Sequence, residues 1–289
     1  MNEWLLNRIP TDLQAEGEII IFQAMRATFV RSYIEAKRAY PWSFFVHNVL
    51  AGVFLSIFAY LTYHFVFEGE LSAEFVASTG SNDYISYVIL GGLLFAFSIS
   101  LLMILSRSLI TELREGTYEA LLLTPSSRKG YFLGRMSQGF VQIGLEFISI
   151  LLVGLILGLQ LSGINISSLI IVLTCLTFAI FAQALVLGAL MLFLRDTYLT
   201  QNTLILLMGL LCGVTFPVSF LPTAVQWISG AMPLTYGLSA TREVWLMDAS
   251  LSEVSSSLIA LLGLGFVYLI IGSFLIKKTE KSVFERHYG

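Results

Sequence analysis

Five polar residues recur at spacings of three and four within a long apolar stretch: Arg135, Gln138, Gln142, Glu146 and Ser149. An α-helix places residues three or four apart on one face, so a helix here carries a polar face. A carboxylate in mid-membrane is unfavourable by about 2.5–3.5 kcal/mol, so we expect Glu146 to face the protein interior or a wet cavity. Gln138, Gln142 and Glu146 are therefore candidates for lining a translocation path. The alternatives are a structural hydrogen bond to another helix or a shallow position near the interface.

The sequence offers little that points to covalent or metal chemistry. His, Cys, Asp and Glu do not recur at metal-ligand spacing, and Cys175 and Cys212 lie inside apolar runs, as small buried hydrophobic residues do. No G-x-x-x-x-G-K-[ST] stretch is present, so the chain lacks the loop that cradles the phosphates of ATP. Ser229 is a poor candidate nucleophile because Trp227 stands where such a motif needs glycine. We therefore predict no catalytic residue and no metal site.

Composition indicates that the elements carrying these residues lie in a membrane. Of 289 residues, 56% are apolar and 12% are charged, whereas soluble domains carry about 25% charged residues. About 20 apolar residues are needed to cross a bilayer as a helix. The candidate spans are residues 44–67, 85–105, 139–161 and 166–194, a fifth that starts near Thr203 and is interrupted at Pro217, and 254–276. The sequence predicts an all-α integral membrane protein with six transmembrane helices.

The basic residues predict the orientation of these spans. Fifteen of the sixteen Lys and Arg residues lie on one side of a six-span chain, and only Arg242 lies on the other. By the positive-inside rule the basic side is cytoplasmic, so both termini are inside a multi-pass protein of the cell membrane. Residues 1–42 then form a cytoplasmic N-terminal segment, 43–276 the transmembrane domain and 277–289 a cytoplasmic tail. Ser250 to Glu253 matches a capping box that opens the last helix, and Lys277 to Lys281 are expected to end that helix.

The segment before the first span predicts an amphipathic helix. At 100° per residue, one face collects the apolar side chains Phe22, Met25, Phe29, Tyr33, Ala36 and Tyr40. Such a helix suits the interface of the cytoplasmic leaflet, where it contacts membrane lipids, and Pro41 allows a turn into the first span. The alternative is an ordinary helix packed on other protein.

The cytoplasmic connection between the second and third spans contains a short helix signal, which we call the coupling segment (residues 112–125). Gly116 interrupts the helix that leaves the second span, Thr117 is a good N-cap, and Glu119 places a negative charge in the first turn. Tyr118 and Leu121 fall on one side, and Pro125 ends the segment. An apolar face in water needs a partner, which is either another protein or the chain's own spans.

The coupling segment resembles the cytoplasmic loop of type-2 ATP-binding-cassette exporter permeases. That family's pattern, E-x-x-x-G-T-x-E-x-L-x-x-T-P, is matched by Glu112, Gly116, Thr117, Glu119, Leu121, Thr124 and Pro125. A second stretch, Pro217 to Trp245, is similar to the family's external segment, in which short re-entrant helices lie between the fifth and sixth spans over about residues 217–240. Its candidate gate residues are Pro217, Pro222, Pro233, Tyr236 and Arg242.

The resemblance extends from Phe22 onward and implies a division of labour. In that family the coupling helix docks into a groove of a separate ATPase subunit, which binds ATP and Mg²⁺, and this chain needs no cofactor of its own. Two ATPase copies and a second permease copy, commonly an identical one, are implied as partners; nothing suggests nucleic acid. The implied function is ATP-driven export of an amphiphile, namely a drug or antibiotic, a lipid or a lipid-linked glycan.

Two alternatives to this function stay open at this point. One is a permease for polysaccharide or teichoic acid, which shares the same motifs. The other is a secondary transporter, a class in which broken helices occur in pairs. The break at Pro217 has no counterpart in the first half of the chain.

Overall fold

The computed structural model describes residues 11–39, 50, 53–54, 56–114, 128–160, 165–194 and 196–288. Regular structure in these residues is helical throughout. The α-helices are α1 (Thr11–Ala39), α2 (Ala73–Thr79), α3 (Tyr84–Arg114), α4 (Arg128–Ile156), α5 (Ile166–Leu194), α6 (Thr197–Leu211), α7 (Thr223–Gly230), α8 (Pro233–Leu246) and α9 (Ser255–Tyr288). A π-helical turn, Thr62–Val66, precedes α2, and a 3-10 turn, Val218–Phe220, precedes α7.

Four helices of the described chain are long and apolar enough to cross a membrane. They contain the segments Tyr84–Arg107, Leu133–Ile156, Ile166–Leu194 and Ser255–Ile276. These correspond to the second, third, fourth and sixth predicted spans, so the chain is an all-helical membrane protein. The first predicted span, 44–67, is described only at residues 50, 53–54 and 56–67, of which 56–61 are α-helical and lead into the π-helical turn.

The central helix is α5, which carries no charged side chain and packs against α3, α6, α8 and α9. It begins after Asn165, whose side-chain oxygen accepts a hydrogen bond from the backbone N–H of Ser168 at 3.2 Å. This is the arrangement of an N-cap residue. Its 29 residues extend about 43 Å at 1.5 Å per residue, which exceeds the ~30 Å of hydrocarbon. Its side chains Leu176, Ile180 and Met191 are fully buried in the main apolar core.

The two ends of the bundle differ in charge. Helix α3 runs from Tyr84 to Arg114, and the connection before it contains Glu68, Glu70 and Glu74. We call this the acidic end. Arg107 in α3 and Arg135 in α4 lie at the other end, the basic end. Contacts between Gly188 of α5 and Ser106 of α3 place the last turns of both helices at the basic end, so these helices run parallel.

The fifth predicted span differs from the expectation in where it begins and breaks. Helix α6 starts at Thr197, six residues before Thr203, because the side chain of Asp196 caps it by accepting a hydrogen bond from the N–H of Leu199 at 3.0 Å. It ends at Leu211 rather than at Pro217, since Gly213 turns the chain with a φ of +80°. Fifteen residues extend only about 22 Å, so α6 is too short to cross by itself.

Helix α1 is longer than predicted and packs on the first turns of α4. A Cβ atom on Gly130 would come within 2.5 Å of the carbonyl oxygen of Ile21, and one on Gly134 would overlap that of Met25. These glycines therefore allow two helix backbones to approach closely, as in a G-x-x-x-G contact. The apolar face divides: Met25 and Phe29 are partly buried, whereas Phe22 and Tyr33 remain exposed. The predicted alternative of a helix packed on protein thus describes one side of α1.

The last helix continues beyond the charged residues that were expected to end it. That prediction was wrong, because α9 runs through Lys277–Lys281 to Tyr288. Lysine and glutamate are good helix formers, so the charges end the apolar segment at Ile276 without ending the helix. In the turn before α9, the carboxylate of Glu253 accepts hydrogen bonds from the N–H and the hydroxyl of Ser250, at 2.6 and 2.8 Å. This is one half of the predicted capping box.

Candidate functional site

The polar face of α4 reaches the interior of the bundle. Glu146 lies near the middle of the apolar segment Leu133–Ile156 and is 7% exposed. Its Oε2 atom accepts a hydrogen bond of 2.8 Å from the hydroxyl of Ser100 in α3. An ionised carboxylate needs such donors when it is removed from water. Glu146 therefore makes a hydrogen bond to another helix at this oxygen, and its role in lining a path stays a prediction.

Three members of this polar face, Arg135, Gln138 and Gln142, lie between Glu146 and the basic end. Gln138 donates to the side-chain oxygen of Gln142 at 3.5 Å, and both side chains are partly exposed. Arg135 donates to the hydroxyl of Ser32 in α1 at 3.1 Å and lies 3.5 Å from the carboxylate of Glu35. The row therefore begins as a contact with α1, continues as two partly exposed amides and reaches the buried carboxylate of Glu146. Its last member, Ser149, donates its hydroxyl to the carbonyl of Leu145 in the same helix at 2.8 Å.

The coupling segment lies almost entirely outside the described residues. Of its candidate residues, only Glu112 falls in a described helix, in the last turn of α3. Gly116, Thr117, Tyr118, Glu119, Leu121, Thr124 and Pro125 lie outside the described residues. The described helices that flank the segment, α3 and α4, pack against each other.

The stretch after α6 forms two short helices at the acidic end. Pro217 is buried and precedes the 3-10 turn, Pro222 is exposed and precedes α7, and Pro233 is the first residue of α8. Proline suits these positions because no backbone N–H donor is needed before a helix or at its first residue. The hydroxyl of Thr235 donates to the carbonyl of Ser229 at 2.8 Å, which links the two helices. Tyr236 packs beside the main apolar core.

Arg242 in α8 is the most extensively bonded polar side chain of this region. It is 8% exposed, and its guanidinium group donates to the carbonyl oxygens of Tyr87, Gly213 and Val214 at 2.8–3.2 Å. Its central carbon lies 3.4 Å from the centre of the Tyr87 ring, the geometry of a cation–π contact. The structure thus places Arg242 inside the protein, where it joins α8, the end of α6 and the start of α3.

The other candidate chemistries find no support among the described residues. No group of three or more His, Cys, Asp or Glu side chains there is arranged to hold a metal ion. Ser229 is fully buried and its hydroxyl lies 3.2 Å from that of Thr235. Cys175 and Cys212 are free thiols.

Sequence reasoning missed the partners of the polar residues. Ser100 and Ser32 gave no signal because single serines are common in membrane helices. Tyr87 gave no signal either, because it contacts Arg242 through its ring face and its backbone carbonyl, which no sequence pattern marks. Gly130 and Gly134 form a G-x-x-x-G pattern that was visible in the sequence and predicts a close helix contact.

Comparison with known families decides what kind of protein has this architecture. The sequence profile of the ABC-2 type transporter family matches residues 22–246. This covers more than three quarters of the chain, from α1 to the end of α8. The chain belongs to the ABC-2 type transporter family. None of the curated proteins matches it.

Membership of the ABC-2 type transporter family confirms the resemblance seen in the sequence. The matched region starts at residue 22, as that resemblance did, and ends before α9, the last membrane-crossing helix. The chain is the transmembrane permease of such a transporter and a non-catalytic transport subunit.

Proposed function

We propose that this ABC-2 type permease exports an amphiphile, either a drug-like molecule or a lipid, from the cytoplasm or the inner leaflet. The observation that carries the proposal is the polar row on α4, which leads from partly exposed Gln138 and Gln142 to buried Glu146. A lipid or an amphiphilic drug has a polar group that needs hydrogen-bond partners and an apolar part that does not. A helix with one polar and one apolar face offers both to the same molecule.

The remaining parts of the proposal follow the family. Six spans, both termini on the cytoplasmic side and two copies of the permease form the transmembrane unit. Two separate ATPase subunits bind ATP and Mg²⁺ and dock on the coupling segment. The excess of Lys and Arg at the basic end supports that orientation.

The candidate residues then divide into three roles. Residues of the coupling segment receive the movement of the ATPase, the polar row of α4 accompanies the polar group of the substrate, and α7 with α8 closes the outer side. Direct contact between α3 and α4 supports transmission from the coupling segment to the polar row, since both helices flank that segment.

Purified permease with its partner ATPase, reconstituted in vesicles, tests this function. We expect ATP- and Mg²⁺-dependent movement of a fluorescent phospholipid analogue or of a cationic amphiphilic dye. A third arm uses a lipid-linked oligosaccharide, and movement of this probe alone would favour the polysaccharide or teichoic-acid alternative. Movement driven by an ion gradient without ATP or ATPase would contradict the proposal.

A further inference from the structure

The end of α6 leaves two backbone carbonyl groups without partners in that helix. Gly213 and Val214 follow the last turn, and Gly213 turns the chain with a φ of +80°. In the packing of α6 against α3, Val214 reaches the level of Gly91, seven residues after the start of α3. The break is therefore about 10 Å inside the acidic end. At such depth, carbonyl groups need a donor from the protein.

Arg242 supplies that donor from α8. Its NH1 group donates to the carbonyl of Gly213 and its NH2 group to that of Val214, both at 2.8 Å. Its Nε and NH2 groups also donate to the carbonyl of Tyr87 at 3.2 and 3.1 Å. Four of the five guanidinium donors are thereby used on three carbonyl oxygens.

In the described part of the chain no carboxylate is paired with this cation, whereas Arg31 and Arg135 are each paired with Glu35. The charge is balanced instead by carbonyl dipoles, by the C-terminal end of α6 and by the Tyr87 ring below the guanidinium plane. A buried guanidinium group held in this way fixes the positions of its acceptors. Lysine could not replace it, because an ammonium group lacks the planar fork and the stacking surface.

At Gly91, helix α3, the end of α6 and Arg242 of α8 leave no room for a side chain. A Cβ atom on Gly91 would overlap the carbonyl oxygen of Val214 and approach the Arg242 NH2 atom to 2.5 Å. The Tyr87 ring also contacts α2, because its centre lies 5.3 Å from that of the Phe75 ring, in an edge-to-face arrangement. Phe75 in turn contacts Tyr84 at 5.6 Å. Helices α2, α3 and α8 and the end of α6 thus form one packed group.

We propose that Arg242 is a positioning residue for transport, which holds the broken end of α6 against the first turns of α3. This inference rests on the proposed function, in which α7 and α8 close the outer side. Through Arg242, a displacement of α3 moves the end of α6 and the helix pair that follows it. When the clamp is lost, ATP hydrolysis continues without productive movement of substrate.

The chain contains its own reporter of this clamp. Cys212 caps the end of α6, adjoins Gly213 and is 1% exposed. In a Cys175→Ala background it is the single thiol of the permease. The rate at which N-ethylmaleimide labels the permease chain, within the assembled complex, measures how often the end of α6 opens.

We expect Arg242→Lys and Arg242→Gln to label at least about tenfold faster than the background, since hydrogen bonds from a charged group are lost. Tyr87→Leu, which removes the ring but keeps the backbone carbonyl, should label about threefold faster. Tyr87→Phe keeps the ring face and should restore slow labelling. Glu243→Gln is the matched control, because Glu243 is the next residue and bonds to Ser239 within α8.

Transport per ATP hydrolysed is measured in the same variants with the fluorescent phospholipid and the dye. Arg242→Lys should reduce transport at least about fivefold while hydrolysis and assembly stay within about twofold of wild type. Slow labelling of Arg242→Lys, or equal losses of transport, hydrolysis and assembly, would overturn the proposal. If the Arg242 variants do not assemble, the Tyr87 variants are compared instead. Fast labelling of Tyr87→Leu beside slow labelling of Tyr87→Phe supports the proposal, and equal labelling of the two overturns it. If the wild type moves neither probe, the proposed function fails, and the labelling rates still decide whether Arg242 holds the break.

Discussion

Glu146 in α4 accepts a hydrogen bond of 2.8 Å from the hydroxyl of Ser100 in α3, near the middle of the apolar segment of α4. These helices flank the coupling segment on either side. A movement that changes the angle between them also changes the surroundings of this carboxylate. Variants of Glu146 and Ser100 can therefore distinguish a role of Glu146 in the path from a structural role.

Glu146→Gln tests the path role. The substitution keeps the size and hydrogen-bonding ability of the side chain and removes its charge. We expect it to change the transport rate or the preference between the phospholipid and the dye, with assembly unchanged. Ser100→Ala is the companion variant, which keeps the carboxylate and loses one donor at a cost of about 1–3 kcal/mol of stability. If Glu146→Gln lowers the Tm of the permease as much as Ser100→Ala does, Glu146 has a structural role instead.

The contact between α1 and α4 depends on the absence of a side chain at Gly134. Gly134→Ala should lower stability by about 1–3 kcal/mol, because the added methyl group overlaps the carbonyl of Met25. The measurement is thermal unfolding of the purified permease. Gly144→Ala is the matched control in the same helix, since a Cβ there meets nothing within 4 Å. It should leave stability equal or higher, because alanine favours helix more than glycine. Equal effects of both variants would refute the close contact.

The cap that Glu253 forms with Ser250, in the turn before α9, predicts a pH dependence. Hydrogen bonds from the N–H and the hydroxyl of Ser250 lower the pKa of Glu253 below its ordinary value. A carboxyl group with a lowered folded-state pKa adds stability above its unfolded value of about 4.3 and loses this contribution as pH falls through the folded-state pKa. Glu253→Gln should therefore have a slightly lower Tm than wild type at pH 7, and the difference should vanish in strong acid.

Glu70→Gln serves as the control for the cap, since Glu70 is exposed at the same end and lies outside any helix. It should match wild type in Tm at both pH values. A Tm difference for Glu253→Gln that persists unchanged below the folded-state pKa would show that ionisation of Glu253 does not stabilise the cap.

The sequence predicted a helix boundary correctly where the residues that cause the boundary are close to it in the chain. The bounds of α5 were predicted correctly because an uninterrupted apolar run and Asn165 lie next to each other in the sequence. The break in the fifth span was placed at Pro217, the most visible local signal, although α6 ends at Leu211. The carbonyl groups at the break are bonded by Arg242, which is 28 residues from Val214 and 155 from Tyr87, so no local signal points to it.

The same distinction applies to the candidate site. Spacing along one helix predicted that Gln138, Gln142 and Glu146 share a face, and Glu146 is buried as expected. The partners Ser100 and Ser32 lie on other helices, so helical periodicity within α4 could not find them. Arg242 was singled out by resemblance, whereas its burial and its three carbonyl partners follow only from tertiary packing.

Substitutions in the coupling segment test whether the ATPase docks there. Leu121→Asp places a charge on the apolar side of the segment, and Glu119→Arg reverses a charge in its first turn. Each should lower ATP-driven transport at least about tenfold, because about 1.4 kcal/mol of lost docking energy has that effect. Ser126→Ala, in the same connection, should transport like wild type. Unchanged transport and complex assembly in the first two variants would argue against docking at this segment.

The side of the membrane on which the coupling segment lies is tested most directly by labelling a single cysteine. Thr117→Cys is made in a chain with Cys175→Ala and Cys212→Ala, and Glu70→Cys serves as the reference at the acidic end. With a membrane-impermeant maleimide, we predict labelling of Glu70→Cys in intact cells and of Thr117→Cys only in inside-out vesicles, with protection when the ATPase is bound. Labelling of Thr117→Cys in intact cells would contradict the entire account of a permease driven from the cytoplasm.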